Sequence, residues 1–239
     1  MQNKKGEKSM NEIFETSIFF GVFISLLSYG IGVLLKRKWK LAVFNPLLIA
    51  VALTILFLAI LRIDYKVYNE SAKYISFLLT PATICLAVPL YEQMELLKKN
   101  YKAVLCGICS GVITSFITVL LLAVLFGLDH SAYVTLLPKS ITTAIGMGVS
   151  EELGGYVAIT VAVIIVTGVI GNMFADVVFR IFHIQEPIAK GIALGTSAHA
   201  IGTAKAMELG EVEGAMSSLS IVVSGILTVA GAGVFAGIL

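Results

Sequence analysis

Five apolar runs dominate the chain, at about residues 14–35, 41–62, 102–127, 156–182 and 214–238. About 20 consecutive apolar residues suffice for a helix to cross the hydrocarbon core of a bilayer. Inside that core every backbone N–H and C=O must be satisfied by the protein itself, which leaves helices and closed barrels as the only spanning structures. Runs of this length specify an all-α integral membrane protein. The charge content agrees, with 13% Asp, Glu, Lys and Arg against about 25% in soluble domains. A net charge of +2 and the lack of a basic stripe give no reason to expect nucleic acid as a partner. Residues 1–12 read as a polar N-terminal tail and 13–239 as a single transmembrane domain. The first run ends in Lys36, Arg37 and Lys38 with no small-residue cleavage site, so it reads as a retained helix rather than a signal peptide.

Between the runs lie three apolar stretches that are interrupted. Residues 74–91 carry Pro81 and Pro89, residues 133–155 carry Pro138, and residues 188–209 carry Gly191, Gly195 and Gly202. Proline removes a helical hydrogen bond, and glycine lets another chain approach closely. Each stretch is expected either to cross as a broken helix or to turn back as a re-entrant hairpin. The expected architecture is therefore seven or eight transmembrane segments, several of them broken or re-entrant, with these six residues as hinges. LLTPATICLAVPLYEQ (78–93) and LLPKSITTAIGMGVSEE (136–152) share a Leu-Leu start, an early proline and a terminal acidic residue, which suggests an internal repeat. Lysines and arginines at 36–40 and 92–102, and their absence from 128–132, place the first two loops inside by the positive-inside rule; the lysines at 4, 5 and 8 oppose that placement.

The third interrupted stretch is the most polar. PIAKGIALGTSAHAIGTAKAMELGEVEG (187–214) holds five glycines, His199 and Lys205. A charged group at membrane depth costs roughly 2.5 kcal/mol at the least, so a polar ligand is expected here. His199 titrates near neutral pH in its unperturbed state, as a proton-coupled carrier requires; the other reading is a histidine bonded to backbone in a tight helix break. Lys139 and Lys205 are candidates to neutralise an anion, assisted by helix N-termini, or else they snorkel or, for Lys205, pair with Glu208. Ser140, Thr142, Thr143, Thr196, Ser197 and Thr203 offer hydroxyls to a carboxylate, or to carbonyls of their own kinked helices. Glu151, beside Ser150 and before Gly154-Gly155, is the acidic candidate. Asp176 and Arg180, one turn apart, suit an intrahelical pair, and Asn172 an interhelical hydrogen bond.

No catalytic constellation accompanies these residues. There is no phosphate-binding loop and no nucleophile elbow, and His130, His183 and His199 fall in different regions. No metal, no cofactor and no enzymatic activity is expected. Cys106 and Cys109 match C-x-x-C in spacing alone and read as small packing residues on one helical face.

The three interrupted stretches, above all 187–220, resemble the signature segments of the LrgB/CidB family, and the similarity runs from about residue 14 to the C-terminus. The resemblance implies a multi-pass protein of the cell membrane. Bacterial members are described as antiholin-like or holin-like, paired with a small LrgA/CidA-like membrane protein and modulating murein hydrolase activity and lysis. A plastid branch exports glycolate and glycerate, and some bacterial members move pyruvate. Two functions follow as expectations. One is a secondary transporter of small 2-hydroxy or 2-oxo carboxylates, proton-coupled and homodimeric, with the lysis role downstream. The alternative is an oligomeric lysis regulator that acts through its LrgA/CidA-like partner and transports nothing.

Overall fold

The computed structural model of the chain describes residues 19–39, 44–85 and 87–239. The polar tail at 1–12, the start of the first apolar run and the first residues of the second lie outside them. Every regular element among the described residues is a helix. Five helical stretches are long and apolar enough to cross a bilayer: Phe20–Trp39, Tyr65–Glu92, Met94–Phe126, Val157–Ile181 and Glu211–Ala236. The chain is an all-α integral membrane protein. The run expected at 41–62 gives only Pro46–Leu61, 16 residues, or about 24 Å against a core of about 30 Å.

The chain divides into two compact units, Met1–Ile84 and Cys85–Leu239. The first unit contains α1 (Phe20–Trp39), α2 (Pro46–Leu61) and α3 (Tyr65–Ser76). The caps of α2 are local chemistry. Asn45 Oδ1 accepts from the Leu47 N–H at 2.9 Å, Pro46 fills the first helical position, where its missing N–H costs nothing, and Arg62 ends the helix at φ 50°. Phe20, Ile24, Ile63 and Val67 form the core of this unit. Close crossing is allowed by Gly21, where a Cβ would lie 2.5 Å from the Ala72 nitrogen. The Gly21 N–H donates to Ser71 Oγ at 2.7 Å. The first interrupted stretch resolves into α4 (Leu79–Cys85) and α5 (Ala87–Glu92). Pro81 and Pro89 each fall in the first turn of their helix, where backbone N–H groups have no intrahelical acceptor.

The second unit holds the longest helix, α6 (Met94–Phe126, 33 residues). Val104, Ile108, Val112, Phe116, Val119 and Ala123 recur every three or four residues and are buried, which is the stripe a helix packs inward. Two short helices follow, α7 (His130–Leu136) and α8 (Thr143–Glu152), then the long α9 (Val157–Ile181), the interrupted α10 (Pro187–Leu209) and the long α11 (Glu211–Ala236). Lipid supplies no hydrophobic drive between helices, so close packing and interhelical hydrogen bonds hold them. Glycines supply the packing. A Cβ on Gly191 would lie 2.5 Å from the Glu213 carbonyl and 2.8 Å from Met216 Cβ, and one on Gly195 would lie 2.6 Å from Ser220 Cβ. α10 and α11 therefore touch backbone to backbone.

Candidate functional site: two hairpins and the cavity beside them

Both interrupted stretches of the second unit turn back on themselves. In the first hairpin, Asp129 starts α7 by accepting the Ala132 N–H at 2.8 Å, and Pro138 ends it. Residues 137–142 form the tip, and α8 returns. The two arms are joined at their base. Thr135 Oγ1 accepts the Tyr156 N–H at 2.7 Å, and Thr160 Oγ1 lies 3.0 Å from the Thr135 carbonyl and 2.7 Å from Ser150 Oγ. Further in, Gly146 packs directly on the Ile164 side chain, so α8 runs antiparallel along the first half of α9.

The second hairpin is α10 itself. Its helical geometry breaks at His199 (φ 42°, ψ −136°), a backbone region that costs a non-glycine residue of order 1–3 kcal/mol. Beyond the break Gly202 sits so close to Leu194 that a Cβ would lie 3.1 Å from the Leu194 carbonyl carbon and 2.7 Å from Ala198 Cβ. In a continuous helix residues eight apart are separated by about 12 Å; here the chain has reversed. Irregular backbone at membrane depth must be satisfied by protein, and named side chains do it. Thr203 Oγ1 donates to the His199 carbonyl at 3.0 Å and lies 2.7 Å from Ser217 Oγ of α11. Asn172 Nδ2 of α9 donates to the Ile201 carbonyl at 2.9 Å, the interhelical bond its sequence context suggested. The His199 ring is buried against Gly168, with Nε2 3.0 Å from the Ile164 carbonyl. Ile164 thus touches both hairpins, through its side chain and its carbonyl respectively.

The hairpins enter from opposite ends of α6. The first arm of α10 runs along the N-terminal half of α6, with Ile192 against Gly107 and Thr196 against Gly111, where a Cβ would lie 3.1 Å from Thr196 Oγ1. The tip of the first hairpin reaches the middle of α6, where Ser140 Oγ lies 3.4 Å from Ser115 Oγ. Between them lies a cavity of about 820 Å³, within the size range of ligand sites. One wall is α6, through Asn100, Gly107, Ser110, Thr114, Ser115 and Thr118; the other is the first arm of α10, with Thr196 and Ser197; Lys139 and Ser140 complete it, and Glu186 lies at the Asn100 end.

Of the residues singled out in the sequence, four line this cavity: Lys139, Ser140, Thr196 and Ser197. Thr142 and Thr143 begin α8, half-buried, and Glu151 is exposed at its end. His199 and Thr203 are buried in the bonds described above. Lys205 pairs with Asp176 at 2.8 Å and approaches Glu208 at 3.8 Å, so Asp176 takes a lysine from α10 rather than the Arg180 on its own helix. Lys139, by contrast, has no ion-pair partner among the described residues; its Nζ donates to Ser140 Oγ at 2.9 Å. The polar stripe of α6 was not anticipated, because its run is apolar on average. Its signal was nonetheless present: Gly107, Ser110, Gly111, Thr114, Ser115 and Thr118 recur at helical spacing.

The chain is thus a multi-pass membrane protein in which two hairpins, each turned back on itself, meet beside one cavity. Comparison with known proteins gives the particular group. Residues 25–238 match the model of the LrgB-like family. Proteins named "Antiholin-like protein LrgB" from Bacillus cereus strains B4264 and AH187 and from Bacillus anthracis strain A0248 are each 43% identical over 212 residues, covering 88% of this chain and 92% of their own. The chain belongs to the LrgB-like family. No solved structure matches it.

Proposed function

We propose that the protein is a secondary carrier for small 2-hydroxy or 2-oxo carboxylates, of the size of pyruvate or glycolate. The observation that carries this reading is Lys139: a cation at the tip of a re-entrant hairpin, lining a cavity and, among the described residues, paired with no carboxylate. An ammonium at such depth is costly without a counter-charge, and a substrate carboxylate supplies one. Ser140, Thr196 and Ser197 line the same space, and opposed hairpins suit movement of one part against another for alternating access. Thr142, Thr143 and Glu151 lie on the first hairpin outside the cavity lining, and Thr203, Lys205 and His199 brace the second hairpin through the bonds described above. Proton coupling, a homodimer and a small LrgA/CidA-like membrane partner belong to the same proposal, and an antiholin-like influence on murein hydrolase activity and lysis follows from the flux. The name of the relatives, antiholin-like, favours a second reading, an oligomeric lysis regulator acting through its partner without substrate.

Purified protein in liposomes, with and without the small partner, is expected to take up labelled pyruvate or glycolate down an imposed proton or substrate gradient. Uptake absent under every gradient, with a lysis phenotype retained in cells, would replace the carrier by the regulator.

A further inference from the structure

The cavity carries several hydroxyls, and their hydrogen bonds separate them. Ser110 Oγ donates to the Gly107 carbonyl at 2.8 Å and Thr118 Oγ1 to the Thr114 carbonyl at 2.7 Å. On α10, Thr196 Oγ1 donates to the Ile192 carbonyl at 2.7 Å and Ser197 Oγ to the Ala193 carbonyl at 2.6 Å. A hydroxyl has one proton, and in these four it is spent within the residue's own helix. Thr114 carries no such bond, but it is exposed and no bond links it to the Lys139–Ser140 pair. Ser115 is different. It is half-buried, its hydroxyl makes no bond to its own helix, and its one partner among the described residues is Ser140 Oγ at 3.4 Å. That contact is long beside the 2.7–2.8 Å usual for O–H···O, so it yields readily to a better acceptor. Ser140 in turn accepts from Lys139 Nζ at 2.9 Å. Ser115, Ser140 and Lys139 form a line of one available hydroxyl, one shared hydroxyl and one cation.

We infer that Ser115 is the residue that selects acids bearing an oxygen on C2. The inference rests on the carrier reading above. The carboxylate takes the Lys139 ammonium. A 2-hydroxy or 2-oxo oxygen, one carbon away, accepts the Ser115 proton and displaces the long serine–serine contact. A plain acid such as acetate has nothing to offer at that position and leaves the serine with its weak bond. A site that hydrogen-bonds a substrate oxygen discriminates against the analogue that lacks it. Ser115 sits in the middle of an apolar helix, where its sequence context alone points to no role.

The test measures kcat/KM for labelled glycolate, pyruvate and acetate in the same proteoliposome preparation, for wild type, Ser115→Ala and Ser115→Thr. The ratio between substrates cancels differences in the amount of folded protein. Wild type is expected to favour glycolate and pyruvate over acetate. Ser115→Ala is expected to cut that preference roughly fivefold or more, the worth of one hydrogen bond, and Ser115→Thr, which keeps the hydroxyl, to restore most of it. A preference unchanged in Ser115→Ala, or all three substrates losing equally, overturns the assignment to Ser115 and leaves the carrier standing. Wild type that moves none of the three overturns both.

Discussion

The two hairpins have the same outline and opposite chemistry. The first, α7 to α8, brings a lysine to its tip and leaves it, among the described residues, without a carboxylate. The second, α10, brings a histidine to its tip and buries it against α9, with Nε2 on the Ile164 carbonyl; its lysine, Lys205, is 11% exposed and already paired with Asp176. Polarity at membrane depth therefore serves two ends in one small domain. In the first hairpin it is offered to the cavity. In the second it repairs the backbone groups that a chain reversal leaves without partners. A count of polar residues treats the two alike, and only the partners of each group tell them apart.

That contrast is most directly broken by overfilling the second hairpin. Gly191→Val is expected to cost about 3 kcal/mol or more, because the new side chain meets the Glu213 backbone at 2.5 Å and cannot displace it; loss of monodisperse protein on gel filtration would show it. The matching change in the first hairpin, Gly148→Ala in α8, meets nothing within 4 Å and should stay within about 0.5 kcal/mol of wild type in thermal unfolding. Equal damage from both would mean that the hairpins are equally tightly packed.

The next largest effect separates the lysines. Lys139→Gln should lower uptake roughly 10- to 100-fold with the melting temperature held, since a charge-assisted bond to substrate is lost. Lys205→Gln should do the reverse, lowering the melting point by the equivalent of about 1 kcal/mol while uptake per folded molecule stays close to wild type. Interchanged outcomes would move the anion site to the second hairpin.

The hairpins also show what could be read from residues alone. The helical nature of the long segments was legible, since length and apolar content decide it; their bounds were less so, because the run at 41–62 yields a helix of only 16 residues while Tyr65–Glu92 is long enough to cross. The three interruptions were legible too, because Pro138 and Gly202 cannot continue an apolar helix at no cost. Whether a break kinks or reverses was not, because a crossing and a returning segment have the same composition; the contact of Gly202 with Leu194 decides it, and that contact is tertiary. His199 drew attention for its titratable ring, yet the sequence could not show that the Ile164 carbonyl awaits it. Ser115 was hidden for the opposite reason, one hydroxyl within an apolar run whose average says only that it spans.

Two smaller tests sharpen the reading of the second tip. His199→Gln, which keeps a donor, should leave the pH profile of uptake unchanged and lower stability by about 1 kcal/mol. A flattened profile would make His199 a proton carrier rather than a brace. Asn172→Ala and Thr203→Val each remove one interhelical bond and should cost about 0.6 kcal/mol in detergent unfolding, the average for such bonds in membranes. Effects several times larger would show that the reversal depends on each stitch singly.

Each hairpin returns the chain to the face from which it came, so neither adds a crossing. α6, α9 and α11 consequently alternate in direction, and this sorts the charges of the second unit. Lys98, Lys99, Lys102, Arg180 and Lys190 collect at one face, while the loops at the other, 127–130, 152–156 and 237–239, hold no lysine or arginine. The positive-inside rule makes the first face the one expected inside, as for the loop at 92–102 in the sequence. The Asn100 and Glu186 end of the cavity lies there as well. The cavity therefore runs from the basic end of α6, at Asn100, to the tip of the first hairpin, at Lys139.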